Sequence, residues 1–284
     1  MNRKKAALSL LPVFLAMLVL CLIYIRYVRP GSYEGSYHSD EERKVHIIMQ
    51  GDSILADEED AVLVEGSRLT ILSAGKYILS CSLQDGQIIV AAGPEDEVTL
   101  KIRNLNIHCQ DGPALWIQSA ARVRIHMEAG SENVFSDGDL YASFPEGKKA
   151  PNACLYSRSD LTIRGEHATL RILAHYRNGI YTADDMKVKS GNLEVTAVHT
   201  AIHCRDHFTL EDAALTLTAG QDGIYDKGSV DLQAGSVSID ADRYGIFAYE
   251  GIDRAEDVLL DISHARSDLA SHGTIVYAGD KTGQ

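Results

Sequence analysis

From residue 178 the sequence repeats a weakly similar phrase every 22 residues: NGIYTADDMKVKSGNLEVTA, then TAIHCRDHFTLEDAALTLTA from Thr200, then DGIYDKGSVDLQAGSVSIDA from Asp222. Superposed at that spacing, Ile180, Ile202, Ile224 and Ile246 fall in one column, and Met186, Phe208, Val230 and Ile252 in a second. Val188, Leu210 and Leu232 form a third, while Gly179, Ala201, Gly223 and Gly245 make a column of small residues. Within each unit apolar and polar residues alternate, as in LEVTA and LTLTA, which is strand periodicity. No helical period is sustained after residue 30. A unit this short cannot bury its apolar face alone, so copies must stack and turn each column into a ladder of like residues. The fold expected is all-β: a right-handed parallel β-helix, a single solenoid on the order of eight to ten turns.

The repeat continues backwards less regularly. NACLYSRSDLTIRG precedes the first clean unit by 25 residues, and DGPALWIQSAARVRIHM lies about 40 further back. The interval 131–151, SENVFSDGDLYASFPEGKKAP, is expected to be a loop bulging from one turn. VLLDIS is displaced by one from its columns, and 264–284 reads as a cap or a frayed end.

The first thirty residues are different material. Arg3, Lys4 and Lys5 precede twenty uncharged residues, Ala6 to Ile25, enough to cross a bilayer as a helix. A cleaved signal peptide is the rival reading, but no small-x-small cleavage site follows. The expected organisation is a transmembrane anchor or signal segment at 1–29, a polar linker at 30–44, and the β-helix at 45–284, with the bulk extracytoplasmic. Five of the 27 basic residues and none of the 40 acidic ones lie in the first thirty, leaving 22 against 40 and a formal charge of −18. Such a body does not bind nucleic acid through a general basic field. Cys81, Cys109, Cys154 and Cys204 show no zinc spacing and read as small buried hydrophobes rather than bridges.

The segments LTILSAGKYILSCSLQDGQIIVAA, VTLKIRNLNIHCQDGPALWIQSAARVRI, PNACLYSRSDLTIRG and NGIYTADDMKVKSGNLEVTA, in this order, resemble a bacterial family of carbohydrate-binding β-helix proteins related in shape to pectate lyases. The resemblance covers roughly residues 45–250. It implies a secreted or surface-anchored protein that binds pectic acid or cellulose, with calcium and without catalysis. The chain departs from the pattern where the family has Asp-Gly before each column isoleucine. Here those pairs are Asn178-Gly179, Thr200-Ala201, Asp222-Gly223 and Tyr244-Gly245, and Cys81 stands where glycine is usual.

Two constellations are candidate sites. The residue after each column isoleucine should point outward, and that column reads Tyr156, Tyr181, His203, Tyr225, Phe247, with Trp116 in the matching place upstream. It is expected to offer flat apolar faces to sugar rings; packing against neighbouring side chains is the competing account. The second is acidic: Asp184 and Asp206 share a column, Asp185 shares one with Asp160, and Asp222 and Asp226 flank Ile224. Carboxylates on adjacent turns repel unless a cation lies between them. Calcium suits such oxygen ligands, although turn aspartates neutralised by Arg158, Arg205 and Lys227 would look the same. A calcium-dependent polysaccharide lyase is the main alternative function, with Arg205 as candidate base. A surface adhesin without a glycan ligand is the third reading.

Overall fold

The computed structural model describes residues 43–58, 60–142 and 150–277. The proposed membrane segment at 6–25 lies outside the described residues, and no helix among those is long and apolar enough to cross a membrane. Residues 42–284 form one compact unit, and its described residues hold strands and turns but no helix.

One turn of the coil shows why the repeat works. Asp160–Arg164 lies on a first face, Thr169–Ala174 on a second and Asn178–Thr182 on a third, after which Met186–Val188 returns to the first, paired with the strand where the turn began. Every such return stacks strand on strand in parallel. Nine strands line up on the third face, from Arg68–Ile71 to Ser267–Ser271, so the protein is a β-solenoid of nine turns. The first and second faces join into one continuous sheet because Gly75–Leu83 and Glu97–Cys109 run through the corner between them unbroken.

The expected columns are the observed ladders. Ile180, Ile202, Ile224 and Ile246 are paired in series. So are Met186, Phe208, Val230 and Ile252. All eight are buried inside the coil. At about 25 cal/mol per Å² of apolar area removed from water, stacked interiors of this kind supply the main favourable term that an isolated 22-residue unit lacks. The glycine column follows from the same close stacking: a Cβ at Gly223 would meet the Ile239 side chain and the Gly245 carbonyl of the next turn.

Six turns use left-handed backbone at the corner between the first and second faces. Gly130, Gly191 and Gly235 supply it with φ of 73°, 94° and 96°. Cys81, Asn104 and His167 hold it at 76°, 49° and 53° in other turns. Cys81 is also exposed, which corrects the expectation that it is buried; Cys109, Cys154 and Cys204 are buried and free.

Three further features depart from the sequence reading. Within the interval 131–151, Glu132–Asp137 is a strand of the second face, paired with 106–109 and 169–173, so the excursion starts only after Asp137. Its buried side chains, Asn133, Phe135 and Asp137, explain why the coil keeps it: Asn133 accepts from the Leu105 N–H at 3.0 Å and donates to the Thr169 carbonyl. The first turns are closed by antiparallel hairpins, Lys44–Gly51 with Ser53–Ala56 and Val62–Glu65 with Arg68–Ile71. At the other end the displacement of VLLDIS is visible as a slip: Val237 pairs with Leu260, and the register breaks after Ile239.

Candidate functional site

The outward column of the third face forms a continuous ring ladder. Tyr156 stacks on Tyr181 at 4.8 Å between centroids, nearly parallel at 8°, and Tyr225 stacks on Phe247 at 4.9 Å and 15°. His203 bridges the two pairs at 5.1 Å on each side, tilted by about half a right angle. These separations are those of paired strands, which is what the parallel register imposes. Trp116 pairs with Tyr156 across the strands and lines a separate hollow of about 400 Å³ with Gln118 and Ala142.

That stacking corrects one expectation. Ring faces turn onto one another along the coil axis, so the ladder offers edges and hydroxyls outward rather than flat faces. Tyr156 and Phe247 are buried, leaving Tyr181, His203 and Tyr225 as the partly exposed stretch. Burial, with Lys227 nearby, pushes the His203 imidazole down to about 4, so it is neutral in the stack. The Tyr181 hydroxyl is raised, chiefly by burial, and hydrogen-bonds to Arg205. Arg158, Arg205 and Lys227 occupy one exposed column beside the rings. Arg205, the candidate base, is therefore tied to the ladder.

The carboxylates divide into two groups. The pairing of Leu161 with Met186 and of Met186 with Phe208 sets Asp160 beside Asp185 and Asp184 beside Asp206, at the corner between the third and first faces. Asp184 is held above its ordinary range by partial burial, then by Asp160, with Asp206 and Asp185 adding to it. Repulsion of that kind is what a bound cation relieves. Asp160 already has one cation, Arg122, at 3.0 Å. Among the described residues no three His, Cys, Asp or Glu side chains stand where they could together hold a metal ion.

Asp222 and Asp226 do not join that cluster. Asp222 is buried and gripped in bidentate fashion by Arg243, Nε at 2.7 Å and the second nitrogen at 2.5 Å, and it accepts from Thr200 Oγ1 at 3.2 Å. Asp226 points inward, in the column of Ser157, Thr182 and Cys204. It does what Ser157 and Thr182 do there, accepting from the backbone N–H two residues on (Gly228 at 2.7 Å). Its second oxygen is buried without a hydrogen-bond partner, and burial pushes the group up to about 6. In the sequence Arg243 stands near the end of its repeat, as Arg177 and Arg205 do, where it could serve as a base; in the structure it is the partner of Asp222.

A family model described as carbohydrate-binding domain-containing protein matches residues 65–276. A protein of that description from Acetivibrio thermocellus is 34% identical over 167 residues, covering 59% of this chain and 58% of the relative, so the match spans a little over half the relative's length. Among solved structures, a polysaccharide lyase-like protein from C. thermocellum, in a gadolinium derivative, superposes with a TM-score of 0.80 at 29% identity. That match covers 84% of this chain and 98% of the other.

Proposed function

The chain belongs to the carbohydrate-binding domain family, and from that premise we propose that it binds an acidic, pectin-like polysaccharide outside the cytoplasm without cleaving it, held at the membrane by residues 6–25. The observation that carries the binding reading is the ring ladder with its cationic border. Tyr181, His203 and Tyr225 present ring edges at the coil pitch of about 4.8 Å, and the two tyrosines add hydroxyls. Arg158, Arg205 and Lys227 run parallel to them and suit uronate carboxylates. Sugar C–H groups then pack against ring edges while hydroxyls and carboxylates reach the border.

Replacing Tyr181 and Tyr225 together by Phe keeps the stack and removes both hydroxyls. The expected result is severalfold weaker retention on polygalacturonate with an unchanged circular dichroism spectrum; unaltered retention removes the ladder from the site. Calcium is proposed at the corner, with Asp184 and Asp206 supplying oxygens and Asp160 and Asp185 beside them. Asp160, Asp206 and Asp185, which add to burial in raising Asp184, support this, as does a structural neighbour described as a gadolinium derivative, gadolinium being a cation with the same preference for oxygen. Titration calorimetry should give heat with calcium in the parent and none in the Asp184→Asn, Asp206→Asn double variant.

The lyase reading keeps one specific support, the polysaccharide lyase-like neighbour. Arg205 beside Asp206 would be its base. Release of unsaturated uronate, followed by absorbance with calcium present, separates cleavage from binding.

A further inference from the structure

We propose that the outer side of the first face is a second glycan-binding surface, a cationic groove that takes the carboxylates of a polyuronate directly, without a bridging metal ion. The proposal rests on the glycan-binding reading above and adds a separate site to it. The groove encloses about 560 Å³ and is lined by Lys76, Arg122, Arg124, Arg164, Lys187 and Lys189, with Asp160 and Asp185 on one edge. In a body with 22 basic residues against 40 acidic ones, six cations along one groove are a local reversal of sign.

Ion pairing along and beside this face leaves charge over. Glu97 is shared by Arg122 and Arg124, and Glu211 by Lys187 and Lys189. Glu128, at the border, is shared by Lys101 and Arg103. With Asp160, which also pairs with Arg122 at 3.0 Å, four carboxylates thus serve six cations. Arg164 ion-pairs with no carboxylate among the described residues and stands 3.4 Å from His126 Nδ1. His126 responds to this surplus: burial lowers it first, and Arg164, Lys101 and Lys76 lower it further.

The arrangement is periodic along the coil. One outward column reads Lys76, Thr99, Arg124, Thr162, Lys187, Thr209 in consecutive turns. Cations recur every second turn, about 10 Å apart, with threonines between them. Thr99 and Thr162 are 8% and 9% exposed and form the floor. An extended polyuronate with near-twofold symmetry turns alternate carboxylates to the same side, so such a chain lying along the coil axis meets a cation at each of them. Arginine's fork suits a carboxylate. No aromatic side chain lines the groove, so nucleobases find nothing to stack on. The column turns acidic beyond Thr209, at Asp231 and Asp253, which ends the groove.

The test uses full-length protein and measures affinity for polygalacturonate and for neutral hydroxyethyl cellulose, with calcium and in EDTA, at several salt concentrations. The parent is expected to bind polygalacturonate in EDTA, and more weakly as salt rises. The Arg124→Gln, Arg164→Gln, Lys187→Gln variant is expected to lose about tenfold or more on polygalacturonate while its affinity for the neutral glycan stays at the parental value. Arg164→Gln alone breaks no carboxylate pair, so its folding is not at issue, and it should shift affinity the same way by about threefold. The groove is overturned if both variants bind polygalacturonate as the parent does, if parental binding vanishes in EDTA, or if a single-stranded DNA of matched charge is held equally well. If the parent binds neither glycan, the glycan-binding reading itself fails, which is a different result from failure of the variants alone.

Discussion

Cys81 holds φ of 76° with its side chain in solvent, at a bend where Ser80 and Ser82 pair out of step with the next strand. A side chain in left-handed backbone costs on the order of 1–2 kcal/mol, and little packing offsets it here. Cys81→Gly should therefore raise stability by about 1 kcal/mol in urea unfolding, even though glycine also frees the unfolded chain. The resemblance implies glycine at this position, but nothing in the sequence marks it as a corner. Two titrating groups, the half-buried His203 and the buried Asp226, make opposite predictions. His203 is neutral in the fold down to about 4 but takes a proton near 6.5 when unfolded, so its contribution is lost as pH falls through that window, by at most about 3 kcal/mol. Asp226 stays protonated in the fold up to about 6 yet ionises near 3.8 when unfolded, so stability is lost as pH rises from 3.8 to 6. Relative to the parent, His203→Phe should gain stability progressively below pH 6.5. Asp226→Ser, which places in that column the residue found at 157, should gain it above pH 3.8. Urea midpoints across pH 3.5–7.5 check both signs, and parallel curves for parent and variants would contradict them. Periodicity identified the aromatic column but not the direction its rings face, which depends on χ angles that spacing does not specify. Asp222 looked like a metal ligand for a related reason: its partner Arg243 lies in the next turn, 21 residues away.

At the level of the strand and its corner, the left-handed positions separate two costs that are usually mixed. Gly130 has φ of 73° and nothing within 4 Å of where a Cβ would stand. Gly235 has φ of 96°, and a Cβ there would collide with the Ala213 carbonyl of the turn before. Gly130→Ala should cost only backbone strain, about 1 kcal/mol, whereas Gly235→Ala adds a displaced turn and should cost at least about 2 kcal/mol. Equal shifts in the urea midpoint would mean that contact between turns does not govern the corner. Strand alternation also contained the cationic groove, because RVRIHM and KVKS put their charges on the outward positions of the first face. Net charge conceals it, because net charge averages over the chain while a groove samples only one face. Glu132–Asp137 was hidden by its polar composition: one of its inward residues is Asn133, whose hydrogen bonds inside the coil a hydrophobic pattern cannot register.

On the scale of the whole solenoid, each turn is stabilised by its two neighbours, so end turns depend on what covers them. Near the start the hairpin strands close over Val45, Ile47, Ile54 and Val62, all buried. Toward the last described turns the pattern weakens: Leu259–His264 alternates only between exposed and half-buried residues, and Leu260, Ile262, Leu269 and Ile275 are only partly covered. Arg254, Arg266, Asp268 and Tyr277 border a hollow of about 550 Å³ over those side chains. The fading of the repeat in the sequence corresponds to this loss of cover, since a turn displaced by one residue after Ile239 cannot set all its apolar side chains on the ladder. Opening of the last turn exposes little apolar area that is not exposed already, whereas opening a central turn breaks two buried interfaces. Amide exchange should consequently be slowest in the strands between Asn178 and Ala248 and faster, by orders of magnitude, in Leu259–His264 and Thr274–Tyr277. The strands Lys44–Gly51 and Gly75–Leu83 should be protected nearly as well as the centre, because the hairpin leaves fewer free N–H groups at that edge. Uniform protection from Lys44 to Tyr277 would instead mean that all nine turns open together, and that the uncovered apolar side chains do not weaken the end.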